Sequence, residues 1–197
     1  MAESIGHPAI LFDMRLRTIL IMAGILVALG VFFFISRPQP ESEPQVEPRR
    51  FIWSVGMEDL KHLTINLPAE GKNQAWVKHE DRYWYFDQPD GPKVNMKRWG
   101  GGIPLLLSGP GAERLITSEA TDNQLEIYGF KNPKMKMALI LRNEDTINIE
   151  VGYRTLDGRA YYIKQLNSKA IYTVDHTWYD VLERLVLDPP YPESKEH

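Results

Sequence analysis

This chain of 197 residues has 23 Lys+Arg against 26 Asp+Glu, a formal net charge of −3, and no cysteine. Three of the basic and five of the acidic residues fall in 1–48, leaving 20 and 21 in 49–197. So even a balance excludes the basic footprint of a nucleic-acid binder, and the missing cysteines exclude disulfides, thiolate nucleophiles and Cys-ligated metals.

Ile19 to Ile35 is one uncharged apolar run, ILIMAGILVALGVFFFI, which Thr18 and Ser36 extend without a charge. A run of roughly 18 such residues is long enough to cross the hydrocarbon core as a helix whose backbone satisfies itself. It exceeds the roughly 7–15 apolar residues of a signal peptide, and Phe32-Phe33-Phe34-Ile35 replaces a small-residue cleavage site. The expectation is an uncleaved transmembrane helix over 18–36, with the lipid bilayer as its partner. Arg15 and Arg17 before the run, against Arg37 after it, orient the N-terminus to the cytoplasm. Everything downstream then lies outside the cytoplasmic, or inner, membrane. Residues 1–17 become a cytoplasmic tail, in which Ala9–Met14 is an interfacial segment or an early start of the helix. Gly24 and Ala28 are a small-xxx-small pair that allows a neighbouring helix to approach, although small residues also occur in lipid-facing spans.

Residues 37–50 are rich in Pro and Glu, with Pro38, Pro40, Pro44 and Pro48 among them. Such a stretch cannot pack and reads as an extended linker, with a reach of roughly 35 Å. Residues 51–190 are the size of one domain, and 191–197 form a polar tail.

Within the domain, Leu60, Leu63, Ile65 and Leu67 give a strand ending at Pro68. Gln74–His79 and Arg82–Phe86 flank Glu80-Asp81 as a hairpin. Asn95–Leu107 is weakly helical, broken by Gly100-Gly101-Gly102 and Pro104. Met135–Leu141 and Thr146–Val151 are strands around Asn143-Glu144-Asp145. Tyr161–Lys164 and Ala170–Val174 form another hairpin around Asn167-Ser168. Trp178, Val181, Leu182, Leu185 and Val186 fall at helical spacing. The fold class expected is α+β: one N-terminal transmembrane helix, then an antiparallel-sheet domain with two or three helices.

The order of motifs carries a resemblance. The Trp-rich hairpin ends in Trp84-Tyr85-Phe86-Asp87-Gln88-Pro89. Tyr128-Gly129-Phe130-Lys131-Asn132-Pro133 follows, then Ile149-Glu150-Val151-Gly152, Ala160-Tyr161-Tyr162-Ile163 and Ala170-Ile171-Tyr172-Thr173-Val174. Over residues 57–187 this resembles the bacterial family catalogued as domain of unknown function 4340. Its members carry an N-terminal membrane span, and some accompany membrane transport or gliding-type export systems. Phe130 stands where that family has Leu. The resemblance implies a membrane-anchored domain and brings no activity or catalytic residue.

Chemistry is absent from the motifs. His7, His62, His79, His176 and His197 show no metal-ligand spacing, and there is no HExxH. The glycines at 100–102, 109 and 111 lack the Gly-Lys-Ser/Thr of a phosphate loop. Ser108 lacks a nucleophile elbow. No catalytic residue, cofactor or metal is expected, and the chain reads as a non-enzyme. The candidate partner-binding residues are Trp76, Tyr83, Trp84, Tyr85 and Phe86, with Gly24 and Ala28 in the apolar run. Strand alternation keeps Trp84 and Phe86 off the face of Tyr83 and Tyr85. One set builds the core and the other forms an aromatic patch, unless helices cover both faces.

The function expected is a non-enzymatic single-pass membrane subunit, with its extracytoplasmic domain making protein–protein contacts in a larger membrane complex. The rival is a module binding an envelope glycan or small ligand through the aromatics. A divergent hydrolase has no nucleophile–base pair behind it.

Overall fold

A computed structural model describes residues 9–35, 51–100 and 102–193. The chain divides into two compact units, Met1–Glu47 and Pro48–His197. The linker expected over 37–50 lies outside the described residues, as do 1–8 and 194–197 of the two expected tails.

In the first unit, helix α1 spans Ala9–Ile35. The interfacial segment expected over Ala9–Met14 is part of this helix. Its residues 19–33 are exposed, and nothing lies within 4 Å of a Cβ placed on Gly24 or Gly30. The transmembrane helix expected over 18–36 requires correction, and so do the single-pass and signal-anchor readings and the fold class built on it. Among the described residues no helix is long and apolar enough to cross a membrane. Upstream, the helix sequence includes Asp13, Arg15 and Arg17.

The second unit is built on an eight-stranded antiparallel sheet with a few helices. Its strands are β1 (Leu60–Leu67), β2 (Lys72–Lys78), β3 (Trp84–Phe86), β4 (Arg114–Thr117), β5 (Met135–Leu141), β6 (Thr146–Arg154), β7 (Ala160–Gln165) and β8 (Ile171–Asp175). They lie in the order β3-β2-β1-β5-β6-β7-β8-β4. Strand β1 pairs with β2 through a tight connection in which Gly71 takes φ +60°, a conformation glycine adopts without Cβ strain. Its other edge pairs with the distant β5, Leu63 opposite Leu139 and Ile65 opposite Met137.

Period-2 alternation closes one face. Leu63, Ile65, Leu67, Trp76, Trp84, Phe86, Met135, Met137, Leu139, Ile149, Val151, Ile163 and Val174 are buried in a single cluster. Three helices supply the opposing layer: α2 (Met96–Trp99), α3 (Gly102–Ser108) and α5 (His176–Leu187). Their contribution to the cluster is Trp99, Ile103, Leu107, Trp178, Tyr179, Leu182, Leu185 and Val186. The irregular helix expected over 95–107 is therefore two helices. Gly100, at φ +63°, ends the first, and the Asn95 side chain caps it by accepting from the amides of Lys97 and Arg98. After α5 the chain returns as a strap. The Arg98 guanidinium donates to the Asp188 and Pro189 carbonyls, the Asn95 amide donates to Pro190 O, and Tyr191 stacks on Phe86 at 4.2 Å.

Helix α5 starts at Asp175, whose carboxylate accepts from the Thr177 amide at 2.8 Å and from the Thr177 hydroxyl. These donors favour the charged form and hold the Asp175 carboxyl below the usual carboxylate range. Asp175→Ala is expected to cost about 1 kcal/mol, the usual loss for an N-cap. Because the folded pKa is depressed, the charge contributes stability above the unfolded-state pKa. That part is lost as pH falls through the folded value. Asp175→Asn keeps a cap without the charge, so urea titrations at pH 7 and pH 3 should show its deficit against wild type shrinking in acid.

Candidate interaction surface

The hairpin aromatics divide between the two sides of the sheet. Trp76, Trp84 and Phe86 are 0%, 3% and 3% exposed and sit in the core around Trp99. Ring centroids are 5.4 Å apart for Trp76–Trp99 and for Trp84–Trp99. Tyr83 is 43% exposed, with the Lys93 ammonium over its ring. The Tyr85 hydroxyl donates to Asp81 at 2.7 Å, and its ring stacks on His79 at 4.3 Å. That bond, with the Tyr83 amide, lowers the Asp81 pKa, and the same carboxylate raises the Tyr85 phenol. Only Tyr83 and Tyr85 of the hairpin set are open to a partner. Gly24 and Ala28 sit on the exposed helix of the other unit.

Strand register defines the rest of the outer face. Tyr85 lies opposite Val77, Val77 opposite His62, His62 opposite Ile140, and Ile140 opposite Thr146. A second row runs Ala75–Thr64–Ala138–Asn148 and a third Asn73–Asn66–Lys136–Glu150–Lys164. Over β1, β2, β3 and β5 every buried side chain points to the core, and Tyr85, Val77, Ala75, His62, Thr64, Ile140 and Ala138 are all partly exposed. Small residues in the second row leave a shallow depression of about 230 Å³ beside Leu166. At one end His62 Nε2 meets Asp87 at 2.7 Å, while its buried Nδ1 has no hydrogen-bond partner.

Over β6–β8 the outer face is covered in part, with a cavity of about 530 Å³ left beside Tyr162 and Thr173. Helix α4 (Asp122–Ile127) starts in a capping box between Thr121 and Gln124. It leads into Tyr128-Gly129-Phe130, where Gly129 takes φ +88°. Tyr128 packs on Tyr162 at 4.4 Å, and Tyr128 O accepts from the Tyr153 amide at 2.8 Å. Beside Phe130 lies Lys164, its side chain 7% exposed, with its ammonium 3.5 Å from Glu150. The ammonium also donates to the Gln165 and Leu166 carbonyls. A buried charge held by that many acceptors is a structural pair.

Among the described residues no group of three His, Asp or Glu could hold a metal. Sequence reading passed over β4 and α4, although Thr121-x-x-Gln124 is a readable helix start. It also passed over the outer-face rows, which require the pairing of β1 with β5. The chain matches no family model, no curated protein and no solved structure.

Proposed function

We propose that this chain is a non-enzymatic accessory subunit whose folded domain binds a partner protein through the outer face of β3, β2, β1 and β5. The observation that carries the reading is the asymmetry of the sheet. One face is closed by helices, and the other presents Tyr85, Val77, Ile140 and two alanines with no buried side chain among them. A flat, half-apolar surface with an aromatic residue and the polar rim of Asp87, Asn66 and Lys136 suits an apolar patch on a protein. Burial of Trp76, Trp84 and Phe86 removes the broad aromatic platform that a glycan reading needs.

The exposed helix residues 19–33 belong to the same proposal. A helix apolar on every side needs an apolar neighbour all round, from lipid or from helices of its assembly. Lipid contact and membrane-protein partners are therefore part of the reading, as is the resemblance to the domain-of-unknown-function 4340 family, which adds no activity.

The test uses the full tagged chain, purified from native membranes in mild detergent, with mass spectrometry of co-purifying proteins. Val77→Arg and Ile140→Arg each place a charge on the outer face without entering the core. Stoichiometric partners of the wild type are expected to fall at least tenfold in both variants and to persist in Lys97→Glu on the helix side. Partners retained by correctly folded face variants, or a wild-type chain that purifies alone, contradict the proposal.

A further inference from the structure

A second feature of the domain is a groove of about 430 Å³ lined by Lys131, Lys134, Lys136 and Tyr153, with Pro68 and Pro133. No acidic residue lines it. Lys131 pairs with Glu126 at 2.6 Å, whereas Lys134 and Lys136 make no ion pair among the described residues. The acid across the strand from Lys136 is Glu150, and buried Lys164 already occupies it at 3.5 Å. Elsewhere on this nearly neutral domain several cations are matched: Lys61 with Glu144, Lys78 and Arg82 with Glu58, Arg98 with Asp188. The groove is thus a local excess of positive charge.

Its walls are also fixed. The Lys134 amide donates to Val151 O at 2.8 Å, Lys136 lies within β5, and Pro133 is buried. Tyr153 is held by its own amide and by its ring, which crowds the Cβ position of Gly129. Three ammoniums on rigid backbone beside a phenol are donors waiting for an anion with several oxygens. A phosphate group carries more charge and more acceptor oxygens than a carboxylate, and lysine serves it as a point charge. The volume is in the range of small-ligand sites.

We propose that this groove binds a phosphate-bearing ligand. Lys134 and Lys136 supply the charge, Lys131 exchanges Glu126 for the ligand, and the Tyr153 hydroxyl donates a hydrogen bond. The phosphate comes from a soluble phosphorylated molecule or from a lipid headgroup. The groove borders the partner surface at Lys136, and its argument does not depend on that surface.

Two arms distinguish the sources, both on the full chain and both read by hydrogen exchange of residues 131–136. In the first, pyrophosphate is added to the chain in nonionic detergent. In the second, the chain is reconstituted with phosphatidylcholine alone or with phosphatidylglycerol added. Slowed exchange with pyrophosphate assigns a soluble ligand. Protection only with phosphatidylglycerol assigns a headgroup. Either effect should weaken at least tenfold in Lys134→Gln/Lys136→Gln, which keeps the side-chain length and removes the charge, and should fade with added salt. No protection in either arm, or protection unchanged in the double variant, overturns the proposal.

Discussion

Gly152→Ala is expected to destabilise the domain by on the order of 3 kcal/mol, one of the two largest effects of any single substitution considered. A Cβ there would lie 2.0 Å from Tyr128 O and 3.1 Å from Tyr128 C. Both are backbone atoms, so no rotamer change relieves the clash. Tyr128-Gly129-Phe130 would have to lift from β6, breaking the bond from the Tyr153 amide to Tyr128 O and uncovering Phe130 and Lys164. Gly129 cannot compensate, because its φ of +88° and the Tyr153 ring 2.6 Å from its Cβ position fix it as well. Gly111→Ala is the control, with nothing within 4 Å of the new methyl. Urea midpoints should fall sharply for Gly152→Ala and hardly move for Gly111→Ala. Equal, small shifts would mean that the turn does not seat on β6.

Trp76→Ala is the second. Trp76 is fully buried, with its ring against Trp99 and Phe86, and truncating a core aromatic to alanine typically costs about 3–5 kcal/mol. That is a large share of a stability of roughly 5–15 kcal/mol. The Trp76 indole N–H is buried without a hydrogen-bond partner. Trp76→Phe therefore removes an unsatisfied donor while keeping most of the apolar area, and its loss should be less than half that of the alanine variant. Thermal or urea unfolding of the pair decides this. An alanine variant within 1 kcal/mol of wild type, about the loss of a single cap, would contradict the core as described.

Much of the sheet was legible because alternation is a local signal. Leu63-Thr64-Ile65-Asn66-Leu67 and Met135 to Leu141 declare their buried faces residue by residue. The closing helix is legible from Trp178 to Val186 for the same reason. Strand β4 was not, since four residues with a register shift between Leu115 and Thr117 carry no period. A helix over the apolar run 19–35 was legible, its start at Ala9 was not, and its crossing of a membrane did not survive the structure. For the hairpin, alternation separates Tyr83 and Tyr85 from Trp84 and Phe86. It cannot say which pair is buried, because that depends on Trp99, more than ten residues away, and on how α2 is seated by the strap from α5. The outer face is less legible still. Val77, His62 and Ile140 become neighbours only when β1 inserts between β2 and β5, a choice no local pattern encodes.

Site-specific photo-crosslinking in the native host tests the central claim most directly. A benzophenone side chain replaces Val77 on the outer face in one full-length chain and Lys97 on the helix side in another. If the outer face binds a partner, the probe at 77 captures one discrete protein, the probe at 97 does not, and Ile140→Arg abolishes the capture. Equal capture from both positions, or none from 77, would contradict the account.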